Sequence, residues 1–300
     1  MIKKWLLSNL IGIIITTFVL TMTFGLVYSL ATKNKITTRP EGVQFRSGPG
    51  RNYHALSALK RGSSLIIMKR EHGWYQVRRT DNEKVGWVAS WVAESRTLNK
   101  VTPLSEATIV LDPGHGGDPN KKYQGFPGDT GSISTDGKHF EKTYTLRTAR
   151  HMRKALEHTG ARVLMTRDSD TLIPLLHIPR LAEKYKADAQ ISIHFDHSNN
   201  ENSATTATGI SQYYYHKSGQ ALTKSLHDSL NSLPLKNRGM DTAQYVVLNN
   251  VTRPATLLEL GYINNHSDFK HIRTARYQKE IATAIVRGLT TYTKNTTEMK

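Results

Sequence analysis

The sequence predicts a three-part chain: an N-terminal apolar helix, a small all-β barrel, and an α/β domain with a mostly parallel sheet covered by helices on both faces. Three observations carry this. Residues 5–32 contain no charged side chain. Residues 41–93 alternate apolar and polar positions between strong turn signals such as Ser47-Gly48-Pro49-Gly50. Beyond residue 107, short β-branched runs alternate with stretches of helical periodicity, the signature of strands joined by crossover helices.

The apolar run comes first. A signal-peptide core is about 7–15 residues long and a bilayer span needs about 20. Residues 1–32 are therefore expected to be an uncleaved signal-anchor, with Lys3 and Lys4 favouring a cytoplasmic N-terminus. Ser29-Leu30-Ala31 resembles a cleavage site, so the alternative is a form secreted to the cell wall. The remainder lies outside the cytoplasm on either reading, which excludes nucleic acid as a partner. Gly12, Gly25 and the Ser/Thr side chains of the run offer a packing face for a membrane-protein partner.

The formal charge is +17, and +9 of it falls between Lys33 and Lys100, where 14 Lys and Arg face 5 Asp and Glu. An anionic membrane surface or wall polymer is the expected partner of that segment. The chain has no cysteine, which excludes disulfides, thiolate metal sites and cysteine nucleophiles. Stability must come from a packed core, which a domain of nearly 200 residues can supply.

In the β segment, Val43 and Phe45 alternate with polar neighbours, Leu65–Met68 is a short apolar run, and Gly73-Trp74 and Gly86-Trp87 introduce two further strands. The stretch "FRSGPGRNY…LKRG…HGWYQVRRTDNEKVGWVASWV" resembles a bacterial SH3 domain, placed at residues 38–97 and separated from the anchor by about ten residues, 32–41. The resemblance implies recognition of wall peptide or glycan; the plainer reading makes the tryptophans core. Residues 94–107, polar with one proline, are the expected linker. Fully extended, they would reach at most about 46 Å.

The third part is expected at residues 108–294. Thr108–Asp112, Val163–Thr166, Ala189–Ile193, Gly209–Tyr215, Tyr245–Leu248 and Thr256–Leu260 read as strands. Lys142–His158 carries an apolar stripe at Leu146, Ala149, Met152 and Leu156 and stops at Gly160. Leu181–Lys186, Ala221–Leu230 and Gln278–Thr291 complete the helices. In such sheets ligands sit beyond the carboxyl ends of the strands.

Four residues stand at such places. His115 follows "TIVLDPG" between glycines, and His194 closes "AQISIH". Glu141 opens a helix, and Glu259 sits between leucines in "PATLLELGY", where a carboxylate is costly without a partner. Two histidines and one carboxylate with an open fourth position are the ligand set of a catalytic zinc. Zinc lowers the pKa of bound water to about 7, and a second carboxylate must then carry the proton. Glu259 is the candidate for that role. On the residues alone Glu141 competes as ligand with His139, and could simply complement its helix N-terminus. His197 and His216 read as surface or satisfied histidines, and Asp196 as an orienting or turn-capping group.

"IVLDPGHGG", "EKTYTLRTA", "TRDSD", "ADAQISIH", "NRG", "YVVL" and "PATLLELGYINN" occur in the order seen in zinc-dependent N-acetylmuramoyl-L-alanine amidases of amidase type 3. The resemblance runs from about Thr108 to the last helix. The anchor, SH3 and amidase order is similar to that of staphylococcal-type membrane-bound cell-wall amidases. It implies one zinc held by His115, Glu141 and His194, with Glu259 as the catalytic carboxylate, and so favours Glu141 over His139.

Departures from the pattern are the wide spacing of His115 and Glu141, 26 positions apart, Ile178 where an arginine is usual (Arg180 being a substitute), Asn264-Asn265 for Ser-Asn, and bulky Phe195 after the second histidine. The extra loop Asp118–Gly128, with Lys121, Lys122 and Tyr123, is expected to shape the substrate groove.

The function implied is that of a membrane-anchored hydrolase. It cleaves the amide between N-acetylmuramic acid and L-alanine of the peptidoglycan stem peptide, in wall assembly and remodelling. The alternatives are a catalytically inactive amidase-like wall-binding regulator and a zinc peptidase acting inside the stem.

Overall fold

The computed structural model of the chain describes residues 5, 9–199 and 207–298; Lys3 and Lys4 lie outside them. The chain divides into two compact units, residues 1–99 and 100–300.

In the first unit, helix α1 (Leu10–Thr32) contains a 20-residue apolar stretch, Leu10–Ser29, of mean hydropathy 2.3, and none of it is covered by the rest of the chain. A six-stranded antiparallel sheet follows: β1 (Lys35–Thr37), β2 (Val43–Arg46), β3 (Ala55–Leu59), β4 (Ser64–Glu71), β5 (Trp74–Arg79) and β6 (Val85–Ala89), in the order β1-β4-β5-β6-β2-β3. Val43, Phe45, Leu59, Leu65, Ile67, Trp74, Val77, Trp87 and Val88 fill its interior. Trp74 and Trp87 are thus core, as the plainer reading of the tryptophans has it. A one-turn helix, α2 (Ser90–Ala93), closes the unit.

Two spacings differ from the sequence reading. The barrel does not wait until residue 41: β1 starts at Lys35, because Ile36 and its neighbours pair with β4. Nor is 94–107 a free linker. Asn99 O accepts hydrogen bonds from Glu41 N and the Arg61 guanidinium, while Thr102 and Ser105 hydroxyls donate to Thr159 O and Leu104 and Ala107 are buried in the second unit. Polar residues that find backbone partners this close do not remain as spacer.

The second unit is a six-stranded sheet between two layers of helices. In chain order it comprises β7 (Thr108–Pro113), a small hairpin of β8 (Lys122–Tyr123) and β9 (Phe126–Pro127), α3 (Glu141–His158), β10 (Arg162–Met165), α4 (Ile178–Lys184), β11 (Ala189–Asp196), β12 (Ile210–Tyr214), α5 (Lys217–Leu230), β13 (Asn237–Thr242), α6 (Val246–Asn249), β14 (Ala255–Tyr262), α7 (His266–Ile272) and α8 (Ala275–Glu298). The sheet order is β10-β7-β11-β14-β12-β13. Every neighbouring pair is parallel except β14 with β12. Strand side chains alternate between two cores. Ile109, Leu111, Ile191, Ile193, Leu258 and Leu260 pack under α3, α5 and α8, whereas Val110 and Leu257 face α4 and α6.

Tyr245–Leu248, expected as a strand, is instead the short helix α6, whose Val247 and Leu248 are buried in the second core. The edge position belongs to β13, whose sequence Asn-Arg-Gly-Met-Asp-Thr carries no alternation that would announce a strand.

Candidate active site

His115 lies just beyond the end of β7, His194 inside β11, Glu259 in β14 and Glu141 at the first position of α3. His194 and Glu259 are register partners across β11 and β14. Helices on both faces bury the strands, so the polar residues collect where the strands end.

The Glu141 carboxylate is the hub. Its Oε2 accepts from Ser132 N at 2.8 Å and lies 3.1 Å from His115 Nε2. Its Oε1 accepts from Phe195 N at 3.0 Å and lies 3.0 Å from His194 Nδ1. The two imidazoles meet edge to face, 5.0 Å between ring centres. Ligand atoms of His115, Glu141 and His194 all lie within 4.8 Å of one another. Burial would raise the Glu141 pKa, but hydrogen bonds from His115 and His194 hold it far below the ordinary range. Burial would lower His115, but Asp129 and Glu141 lift it to about 10.

His115 adopts a left-handed backbone, φ 62°. Such strain in a non-glycine residue persists only where surroundings over-determine it. They do so here. The buried Arg167 donates from Nε to Pro113 O at 2.9 Å, and from its terminal nitrogen to Gly114 O at 3.0 Å and Lys142 O at 2.8 Å. Thr145 Oγ1 donates to Gly114 O, and Lys142 Nζ bridges Gly117 O and Asp170. One arginine therefore locks the histidine loop to the helix that carries Glu141. Gly114 must be glycine, since a Cβ there would overlap the His194 ring.

Asp129, in the stretch "GDTGS" just after the extra loop, is a site residue beyond the four candidates: its Oδ2 sits 2.7 Å from His115 Nδ1. A carboxylate on the second ring nitrogen fixes a histidine's tautomer and orientation. Asp112 anchors the floor, accepting from Thr166 Oγ1 and Ser192 Oγ.

Glu259 is the exception to this satisfied network. Its Oε2 is buried and makes no hydrogen bond. Burial first, then the charges of Glu141 and Asp196, push its pKa well above the usual carboxylate range. A buried carboxyl beside the two histidines is placed to take and return a proton.

An open cleft of about 590 Å³ joins these groups, lined by His115, Asp129, Glu141, His194, Asp196 and Glu259 among others. Asp196 accepts from His197 N and from the Tyr262 hydroxyl, whose pKa burial and that bond raise to about 12. His197 also lines the cleft; His216 does not, and donates instead to Asn249 O. His139 hydrogen-bonds the Tyr144 hydroxyl at 2.8 Å and stacks near Phe269, outside the ligand group. The exposed Arg180 does not line the cleft, and neither does any residue of Asp118–Gly128, which folds as the β8–β9 hairpin with the Tyr123 hydroxyl accepting from Asp118 N.

Comparison with known proteins adds a family. The model described as N-acetylmuramoyl-L-alanine amidase matches residues 109–291, and that described as bacterial SH3 domain matches residues 41–93. A Staphylococcus aureus protein named "Probable cell wall amidase LytH" is 34% identical over 97% of this chain and 96% of its own length. Among solved structures, the N-acetylmuramoyl-L-alanine amidase AmiC2 of Nostoc punctiforme superposes with TM-score 0.56 at 31% identity, covering 63% of this chain and 97% of that one. The N-acetylmuramoyl-L-alanine amidase of Clostridium difficile 630 gives TM-score 0.56 at 29% identity, over 63% and 97%.

Proposed function

The chain belongs to the N-acetylmuramoyl-L-alanine amidase family and is a peptidoglycan hydrolase of that activity; on that premise we propose that His115, Glu141 and His194 hold one zinc ion while Glu259 moves the proton. The observation that carries the reading is the pairing of a closed polar hub with one orphaned carboxylate oxygen at its edge.

The donor set fits. Two imidazoles and one carboxylate leave a fourth position open toward the cleft, as catalytic zinc sites require. Bound there, zinc would supply Lewis-acid polarisation of the scissile carbonyl and a water acidic enough to attack at neutral pH. Asp129 holds the His115 ring in one orientation, and Ser132 N and Phe195 N keep the Glu141 carboxylate flat between the histidines. Glu259 takes the proton of the attacking water and returns it to the departing alanine nitrogen, so the amide breaks without expelling an anion.

α1 reads as a single-pass anchor with the catalytic unit on the outer side. At about 1.5 Å per residue, the 20 residues Leu10–Ser29 span about 30 Å, the thickness of a hydrocarbon core. Peptidoglycan is then met at the membrane face of the wall, where strands are newly made. Detection of residues 10–29 in the mature chain from membranes supports the anchor; a mature chain starting near residue 32 assigns the protein to the secreted form.

Mass spectrometry of purified peptidoglycan after incubation with the protein tests the activity. The expected products are stem peptides with a free L-alanine amino terminus and intact glycan chains. New reducing ends would indicate a glycosidase, amines only within the stem a peptidase, and no product the inactive regulator.

A further inference from the structure

We propose that the tip of the β4–β5 hairpin is a second membrane contact, docking the barrel on anionic lipid headgroups beside the point where α1 leaves the bilayer. The inference rests on α1 being a membrane span. It begins from chain continuity. α1 ends at Thr32, and two residues later the chain is already in the barrel, with Asn34 O accepting from Ile67 N at 2.7 Å. β1 and β4 are antiparallel, with Lys35 opposite Ile66. The part of β4 beyond Ile67 therefore projects back past the start of β1, on the side from which the helix arrives.

The lengths allow it. From Ser29, the last residue of the apolar stretch, to Asn34 the chain rises about 8 Å in helical or turn steps, because Lys33 keeps a helical backbone and donates to Ser29 O. From Ile67 to Glu71 the strand covers about 13 Å in the reverse direction. The tip thus reaches the level at which the apolar stretch ends.

What the tip presents matches that level. Met68 is 56% exposed and unpaired across the sheet, because the register with β5 slips between Ile67 and Lys69. Such a bulge turns a strand end away from its plane. Lys69 and Arg70 are exposed, with Lys69 Nζ 5.9 Å from the Trp87 ring and Arg70 Cζ 5.2 Å from the Tyr75 ring. Ser90 N donates to Gly73 O and Trp91 meets Trp74 edge to face, which brings a further aromatic to the same end. Trp74 and Trp87 stay in the core, but the half-buried Tyr75 and Trp91 with Lys69, Arg70 and exposed Met68 have the composition of a headgroup contact.

Charge separates the two ends of the hairpin. Around the tip, Lys33, Lys35, Lys69 and Arg70 outnumber Glu71, which pairs with Lys69 at 2.7 Å, and Glu94. At the opposite end of β5, Asp81 and Glu83 pair with Arg79 and Arg78. With Lys84 the second end carries one excess positive charge against two at the tip, so an anionic surface favours the tip.

The absence of cysteine makes a clean test. Single variants Met68→Cys and Asn82→Cys of the full chain, each carrying an environment-sensitive fluorophore, are placed in nanodiscs of phosphatidylcholine with or without phosphatidylglycerol and headgroup-quenching lipid. The label at 68 should be quenched at least about threefold more than that at 82 when phosphatidylglycerol is present, and the difference should vanish with Lys69→Glu/Arg70→Glu. Unchanged turnover on a soluble muropeptide shows that the variants are folded. Equal quenching at both positions, or quenching indifferent to the double charge reversal, overturns the docking while leaving the anchor intact. Response of the 68 label to purified teichoic acid but not to lipid overturns it in favour of a wall polymer. Failure of the chain to enter discs removes the anchor, and the docking with it.

Discussion

The barrel and the catalytic sheet spend their buried positions differently. The barrel interior is apolar, with Val43, Phe45, Leu65, Trp74, Val77 and Val88 buried and Thr38 as its buried polar residue among those described. The catalytic unit buries Asp112, Glu141, Arg167, Gln190 and Ser192 as well, and all but Gln190 collect toward the carboxyl ends of β7 and β11. Buried polar groups are costly unless satisfied. Most of their polar atoms meet a named partner; Gln190 Oε1 and Thr148 Oγ1 do not, nor does Glu259 Oε2, which among these three belongs to the residue lining the cleft. The difference teaches where function resides: a barrel built for packing acts through its surface, whereas the sheet holds chemistry inside.

The largest effect that would break this division comes from the hub. His115→Ala or His194→Ala leaves two protein ligands, and metal analysis should find zinc content near zero with turnover at background. Full zinc in both variants would remove the ligand assignment. Glu259→Gln comes next. It keeps the shape and the metal but cannot cycle a proton, so turnover should fall about 10²–10⁴-fold with zinc retained. Equal rates for parent and variant would move the proton to another group, Asp196 being a further carboxylate that lines the cleft.

Much of this was legible in the sequence because it obeys local rules. The helix Glu141–His158 announced itself by a four-residue stripe and a terminal glycine. The four site residues stood at strand ends or inside an apolar strand, where histidine and glutamate are out of place unless they have work. What was not legible depends on distance in sequence. Asp129 is polar and half exposed, and only the fold brings it to His115. Arg167 sits in "TRDSD", but its three backbone carbonyl acceptors at Pro113, Gly114 and Lys142 exist only after α3 packs on β7. The edge strand β13 is polar because one of its sides has no neighbour among the described strands. The helix α6 is apolar enough to pass for a strand, and its burial against the second core decided otherwise.

Two smaller perturbations sharpen the comparison from each side. Asp129→Asn removes the charge on His115 Nδ1 without touching a ligand, and zinc affinity should fall about 10–100-fold. Competition with a chelator measures it, and unchanged affinity would make Asp129 a bystander. On the barrel side, a Cβ at Gly86 would overlap the Phe45 ring. Gly86→Ala should destabilise the barrel by about 1–3 kcal/mol through overpacking. All four tryptophans precede residue 100, so their fluorescence follows that unit alone. The tryptophan melting temperature should drop while turnover on a soluble muropeptide holds; a parallel fall in turnover would show that the two units share more than a chain.

The smallest effect is expected at the β8–β9 hairpin. Phe126 is 55% exposed, and Gly117 packs against Tyr123 rather than against it. The hairpin is tied to its own base by the bond from Asp118 N to the Tyr123 hydroxyl, 3.0 Å, and contributes no wall to the cleft. Phe126→Ala removes an exposed ring with no cavity left behind, so stability should stay within about 0.5 kcal/mol and zinc content should not change. Turnover on soluble muropeptides should also hold within about twofold. Intact peptidoglycan is the sharper probe, because a strand running past the cleft is the substrate long enough to meet an exposed ring beyond it. A drop in rate on intact strands alone, with soluble substrate and stability untouched, would restore the loop to the substrate path and show that the chemistry of this unit, like that of the barrel, extends onto its surface.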